Sequence, residues 1–287
     1  MIYIHRRWDS VPDDVKLKLS KVSEELEVIA DEEARKAFID KNREAWGSLR
    51  KYLEVMSHGK CWYSEAIENV SRYEIDHFRP HGRAKQASKT FASGYCWLAF
   101  QPDNFRLAGQ LCNRTNKEHS SDSVGKGEWF PLVDPEKRAS LSQRDFAQES
   151  PVLLDPCDPE DPYKLWFNDD GNVVPDPDLD EQTQSLVEQA IIQLGLRQSK
   201  LNKARAAILN KCRRALVQYK EVLKVPRGQR TERDNKNAEE SRSLLLAMAS
   251  PSGEFAAAVR CFLIANGLKQ FARRDELAPL AMSAEQV

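Results

Sequence analysis

The chain has 287 residues, of which 41% are apolar and 30% charged, and its 43 lysines and arginines balance 44 acids to a formal charge of −1. At about 150 residues per domain, this length predicts about two domains with a full hydrophobic core, and it excludes peptide-scale and disulfide-stapled scaffolds. The longest unbroken apolar run, Leu244 to Ala249, has six residues, where a bilayer span needs about 20. The opening MIYIHRRWDS lacks the apolar core of a signal peptide. A cytoplasmic protein with no membrane partner is therefore expected, and its six cysteines, scattered without a regular framework, are expected to be reduced.

From Val15 to Met56 the chain is charged and helix-favouring, with Val15, Leu19, Val22, Leu26 and Ile29 at steps of three and four. The spacing predicts two helices parted near Asp31. From His58 to about Pro175 glycine, proline and aromatics become frequent, and short runs such as YEIDHF and NFRLAG suit strands. DPCDPEDPY must be extended or turning because proline removes a backbone donor, and LWFNDDGNVVP reads as a hairpin turning near Asp170-Gly171. Helix returns from about Asp180, broken at Gly195 and Pro226, with Leu201, Ala204, Ile208, Cys212, Leu216, Tyr219 and Leu223 at helical spacing. VPRGQRTERDNKNAEE is expected as a mobile loop, and Ser241 to Ala272 as one or two closing helices. The expected class is α+β, mainly helical, divided into an N-terminal helical arm (1–57), a central module with irregular extensions (58–178) and a C-terminal helical region with one basic face (179–287).

The flat net charge hides an asymmetry. Pro151 to Ala190 holds eleven acids against the single base Lys164, whereas Arg197 to Lys236 holds thirteen bases against three acids. The basic block is either a solvated helix face or a surface that tracks phosphates, and the acidic segment Asp155 to Glu181 is a candidate to mask it in cis.

The informative chemistry lies between Cys61 and Leu132. Asp76 and His77 stand side by side in EIDHFRP, at the end of a strand-like run stopped by Pro80; Asn104 follows in DNFRLAG, and Asn113 sits in the helix-like QLCNRTNKEH. Strand neighbours point to opposite faces, so an adjacent pair converges on one site only where the strand ends or bends. Hydrolysing a phosphodiester needs a deprotonated water, and neutral imidazole is well poised to make one near pH 7, which points to His77. It also needs a cation beside the phosphate. The Asp76 carboxylate and the Asn113 amide are hard oxygen donors suited to one Mg²⁺ or Mn²⁺. Asn104 cannot act as a base, but its amide can hold a loop or the imidazole in place.

At these residues the sequence resembles the HNH endonuclease family, whose ββα-metal motif carries an Asp-His pair, a central Asn and a final His or Asn on the helix. The resemblance implies that Asp76 and Asn113 hold the metal, that His77 is the general base and that Asn104 orients it. KCWYSEA, EIDHFRP, GYCWLAF, DNFRLAGQLCNR, WFPLVDP and LLDPCDPEDPYKLWFNDDGNVVP further resemble the PtuB-type HNH proteins of Septu and retron-associated antiphage systems. That likeness implies a role in defence and an ABC/SMC-like ATPase partner. Two departures stand out. Where many HNH proteins carry two CxxC pairs for structural zinc, this chain has Cys61 with Ser64 and Gly109 with Cys112, half of the four ligands that tetrahedral zinc wants, so zinc is not expected and Trp62, Tyr63 and Trp97 are expected to pack there instead. Asn113 stands where histidine is commoner, and His119, six residues on, is a further candidate metal ligand or phosphate contact.

The expected reaction is metal-dependent hydrolysis of DNA with low sequence specificity. Arg106, Arg114 and Lys117 are candidate phosphate contacts. The same residues leave two other readings open: an RNA endonuclease, because the motif does not encode the sugar, and a catalytically silent HNH-fold module that binds an ATPase.

Overall fold

The computed structural model describes residues 1–272 and has the expected class, α+β and mainly helical, with three two-stranded antiparallel ladders among the described residues. Met1, Ile2 and Ile4 are buried, the Ile4 amide donates to the Pro156 carbonyl at 2.8 Å, and the Met1 amine pairs with buried Glu65 at 3.0 Å. Helix α1 (Asp13–Glu27) starts behind Pro12 with Asp13 and Asp14 in its first turn, where carboxylates oppose the positive end of the helix dipole. Helix α2 (Glu32–Lys41) is capped by Asp31, whose side chain accepts the Ala34 amide at 2.8 Å, so the parting at Asp31 stands. The second expected helix is instead three: α2, the single turn α3 (Glu44–Gly47) and α4 (Arg50–Met56). Asn42 donates to the Phe38 carbonyl and Ser48 to the Ala45 carbonyl, both at 2.8 Å, and such side-chain bonds compete with the helical ladder.

In the centre, β1 (Glu74–His77), β2 (Arg83–Ala87), β3 (Thr90–Ser93) and β4 (Phe105–Ala108) follow in order. β1 pairs with β4 from Glu74↔Ala108 to His77↔Phe105, while β2 and β3 form a hairpin between them. The expected helix QLCNRTNKEH is only the single turn α5 (Gln110–Asn113), and Arg114 is already extended. A docking loop takes the place of a second turn: the Cys112 and Asn113 carbonyls accept the Lys126 and Gly127 amides, each at 2.7 Å. That approach requires Gly125, which has φ +100°, because a Cβ there would lie 2.0 Å from the Arg114 carbonyl oxygen. Trp62, Tyr63 and Trp97 are buried, as are Tyr95, Phe100, Trp129 and Phe130. The hairpin of β5 (Leu165–Phe167) and β6 (Val173–Pro175) forms as expected, and Gly171 at its turn has φ +82° and lies against the backbone of Asn202.

Helices α6 (Glu181–Gln193), α7 (Ser199–Lys224), α8 (Glu232–Ala249) and α9 (Ala256–Ala265) build the C-terminal region, and residues 273–287 of that region lie outside the described residues. Asp180 caps α6. The expected stripe runs along α7, with Leu209, Cys212 and Leu216 buried, and α8 and α9 pack against it. The expected loop 225–240 is helical from Glu232 onward. Thr231 accepts the Asp234 amide while Asp234 accepts the Thr231 amide, a capping box that launches α8 with two donors satisfied. Masking of the basic block is confined, among the described residues, to one ion pair between Asp169 and Arg213 at 3.6 Å. No helix among the described residues is long and apolar enough to cross a membrane.

Candidate active site

His77 is the last residue of β1, where the antiparallel ladder with Phe105 ends. Its ring is boxed edge-on by Trp46 (4.9 Å between centroids), Phe105 (5.2 Å) and His81 (4.6 Å). Nε2 lies 2.9 Å from the Ala99 carbonyl. A carbonyl only accepts, so Nε2 carries the proton and Nδ1 is left with its lone pair. Burial, with His81 beside it, pushes the imidazole pKa down to about 3, which keeps the ring neutral at ordinary pH. His81 is lowered too, by burial and then by Arg43.

Asp76 has different neighbours. Its Oδ1 accepts from the Lys126 ammonium at 2.7 Å and its Oδ2 from the Tyr63 hydroxyl at 2.6 Å, with all three side chains buried. Lys126 also donates to the His77 carbonyl at 2.7 Å, so one ammonium ties the carboxylate to the backbone that carries the imidazole. Burial pulls the Lys126 pKa down against the pull of Asp76, and burial raises that of Tyr63.

A cavity of about 750 Å³ opens in front of His77, lined also by His81, Glu74, Asn113, Arg114 and, from the N-terminal arm, Arg43, Trp46 and Arg50. The arm is thus one wall of the site. Asn113 donates its amide to Glu74 at 2.8 Å, and Arg114 pairs with Glu74 at 2.5 Å. The structure therefore brings His77 and Asn113 to one cavity and engages Asp76 with Lys126 and Tyr63. Among the described residues no group of three or more His, Cys, Asp or Glu side chains is arranged to hold a metal ion. Mg²⁺ does not need such a cage, since it keeps several waters and takes one or two protein oxygens together with substrate phosphates. Of the oxygen donors expected to hold such an ion, Asn113 lines the cavity with Glu74 beside it, whereas Asp76 is not part of the cavity wall and has both oxygens engaged.

Asn104 is a staple on the segment that follows His77. It accepts the Arg79 amide at 2.8 Å, donates to the Arg79 carbonyl at 2.9 Å and reaches the Leu98 carbonyl at 3.3 Å. Arg106 is corrected as a phosphate contact. It is 3% exposed, and its guanidinium is spent on both oxygens of Asp155 (2.7 and 2.6 Å) and on the Asp103 and Phe105 carbonyls. Lys117 and His119 lie beyond the cavity wall; Lys117 is exposed, and the His119 carbonyl accepts the Ser199 amide at 2.9 Å. At the two half-pairs, Cys61 Sγ accepts the Gly109 amide at 3.2 Å and the Ser64 amide at 3.5 Å. Burial opposes ionisation there, but the Cys112 thiol and these amides outweigh it and lower the Cys61 pKa below that of an ordinary thiol.

Sequence reasoning missed Trp46, Glu74, His81, Arg50, Lys126 and Tyr63. Glu74 was legible, lying two residues before Asp76 on the same strand. The others reach the site only through tertiary folding. No family model matches the chain. Over 127 residues, 43% of this chain, it is 33% identical to the Septu protein PtuB of Bacillus mycoides (strain KBAB4), and the match spans about 40% of that relative's own length.

Proposed function

We propose that this chain is a metal-dependent endonuclease of the HNH kind that hydrolyses DNA, acting as the effector of an antiphage defence system alongside an ATPase partner. The observation that carries the chemistry is His77 in the cavity wall with Nε2–H committed to the Ala99 carbonyl, which leaves Nδ1 unprotonated for a general base's role. In this reading His77 Nδ1 takes the proton of the attacking water. Asn104 holds the following backbone, Lys126 fixes the strand end through the His77 carbonyl, and Trp46 and Phe105 keep the ring from turning. Asn113 with Glu74 would hold one Mg²⁺ or Mn²⁺, and Asp76 would join them on releasing Lys126 and Tyr63. When bound, such an ion supplies positive charge to the phosphate and to the departing 3′ oxygen. The defence role and the partner rest on the likeness to the Septu protein.

Plasmid DNA incubated with Mg²⁺ or Mn²⁺ tests the reading. Wild type is expected to nick or linearise it and His77→Ala to lose at least about 100-fold in rate, the lower end of what a general base contributes. A structured RNA in a parallel reaction separates the ribonuclease reading. The pairing of both Asp76 oxygens with Lys126 and Tyr63 favours a second reading, a silent HNH-fold module that holds its partner without turnover. Intact DNA and RNA with wild type, even with the partner present, would favour that one.

A further inference from the structure

Resting on the phosphodiesterase reading above, we propose that Arg50, supplied by the N-terminal arm, is the phosphate clamp of the cavity, gripping a backbone phosphate of the nucleic acid in front of His77. Three arginines line this cavity. Arg43 is paired with Asp40 at 2.5 Å and Arg114 with Glu74 at 2.5 Å. Arg50 has no hydrogen bond or ion pair to any described residue, and its Nε is shut off from water with nothing to donate to. Buried donors in folded proteins nearly always have partners, so Arg50 is a side chain that the folded protein by itself leaves uncommitted.

The surroundings say what kind of partner is missing. Arg50 opens α4, one turn beyond Trp46, whose ring edge packs on the His77 imidazole. Both line the cavity that His77 also lines. Glu44 and Glu74 share the cavity with Arg50, yet neither is within ion-pair distance of it, and Glu74 is already taken up by Asn113 and Arg114. Of the three arginines in the lining, two are held by carboxylates, Arg43 by Asp40 and Arg114 by Glu74, and Arg50 is the one left for the negative charge of a phosphate diester. The planar guanidinium fork matches phosphate oxygens in pairs, which a lysine in the same place does not do. The arm thereby closes the cavity and brings an arginine without a carboxylate partner, whereas Arg114 of the central module is paired with Glu74 and Arg106 is turned inward.

The test measures binding apart from cleavage. A short labelled DNA duplex is titrated with full-length wild type, Arg50→Gln and Arg50→Lys in EDTA, by fluorescence anisotropy over a salt series, with thermal melting as a check on folding. Arg50→Gln is expected to bind about tenfold more weakly at low salt. Its plot of log affinity against log salt should be shallower by about 0.9, the value of one phosphate contact. Arg50→Lys should keep the salt slope and lose affinity a few-fold. Unchanged affinity and slope in Arg50→Gln overturn the assignment. Should Arg50→Gln fail to melt cooperatively, Arg50→Lys decides, and wild-type affinity in that variant overturns it. The function is judged separately. Cleavage by wild type with normal binding by Arg50→Gln removes the clamp and leaves the nuclease; weakened binding by Arg50→Gln with no cleavage of DNA or RNA by wild type keeps the anion site and removes the nuclease.

Discussion

The central module and the C-terminal helices are held together by different physics. In the central module the regular elements are three to five residues long, and the chain between them is fixed by buried polar side chains: Asn104 on Arg79, Arg106 on Asp155, Lys126 on Asp76 and on the His77 carbonyl. In α6 to α9 the backbone largely satisfies itself along an apolar stripe with caps at Asp180 and Thr231, and buried Arg205 and Arg260 add bonds to the Leu196 and Ala249 carbonyls. A polar staple fixes atoms in direction as well as in distance, which a catalytic site needs, but it leaves a charge or donor stranded when one partner goes. An apolar stripe tolerates repacking. Precision and tolerance are thus divided between the two halves of the chain.

Acid should produce the largest effect, and it should fall on the central module. An unfolded chain takes up a proton on His77 near 6.5, whereas the folded ring stays neutral down to about 3. The stability contributed by this difference is full above 6.5 and declines as the pH falls through that window. Burial alone would raise the pKa of Glu65, but the Met1 amine and Lys60 pull it down to about 2, so its contribution is present above 4.5 and is lost between 4.5 and 2. Denaturant midpoints between pH 8 and 4 check the trend; a flat curve would mean that His77 is not held neutral by burial. Next in size, Arg106→Ala leaves the Asp155 carboxylate without its fork and should cost about 3–5 kcal/mol, read from chemical unfolding. A loss under about 1 kcal/mol would erase the contrast between the two regions.

Asn104→Ala strands the Arg79 amide and carbonyl and should cost about 1–3 kcal/mol. Cleavage should fall further than stability explains, as seen when rates are compared under conditions where both proteins are folded. In the helical half, Thr231→Ala removes one side of the capping box and should cost about 1 kcal/mol. Lys224→Ala removes an exposed pair with Glu221 and should leave the midpoint within about 0.5 kcal/mol of wild type.

The same division explains what the amino-acid order revealed in advance. Periodicity found α1, α6 and α7, because each buries one stripe and little else decides its course. The strand carrying Asp76 and His77 and the strand β4 were legible from short apolar runs, although Asn104 ends the turn before β4 rather than lying on it, and the hairpin at Gly171 was legible from its turn residues. The helical turn at Asn113 was read as too long because its continuation is replaced by the docking of residues 125–127, a contact between segments rather than a local preference. The start of α8 was missed although Thr231 and Asp234 have capping-box spacing, since the surrounding charges resembled a solvated loop. Arg106 was misjudged for a related reason: a basic residue beside a motif has the same letter whether it meets water, phosphate or, as here, a buried aspartate. Trp46, Arg50, His81 and Lys126 carry no local signal because only the folded chain sets them around His77.

The cavity's walls come from stretches far apart along the chain, residues 43–50 on one side and 74–127 on the other. During synthesis Trp46 leaves the ribosome long before Asn113 and Gly127 exist, so a growing or truncated polypeptide has only half a cleft. Whatever the finished cleft binds is therefore out of reach of the nascent chain until both stretches have been made.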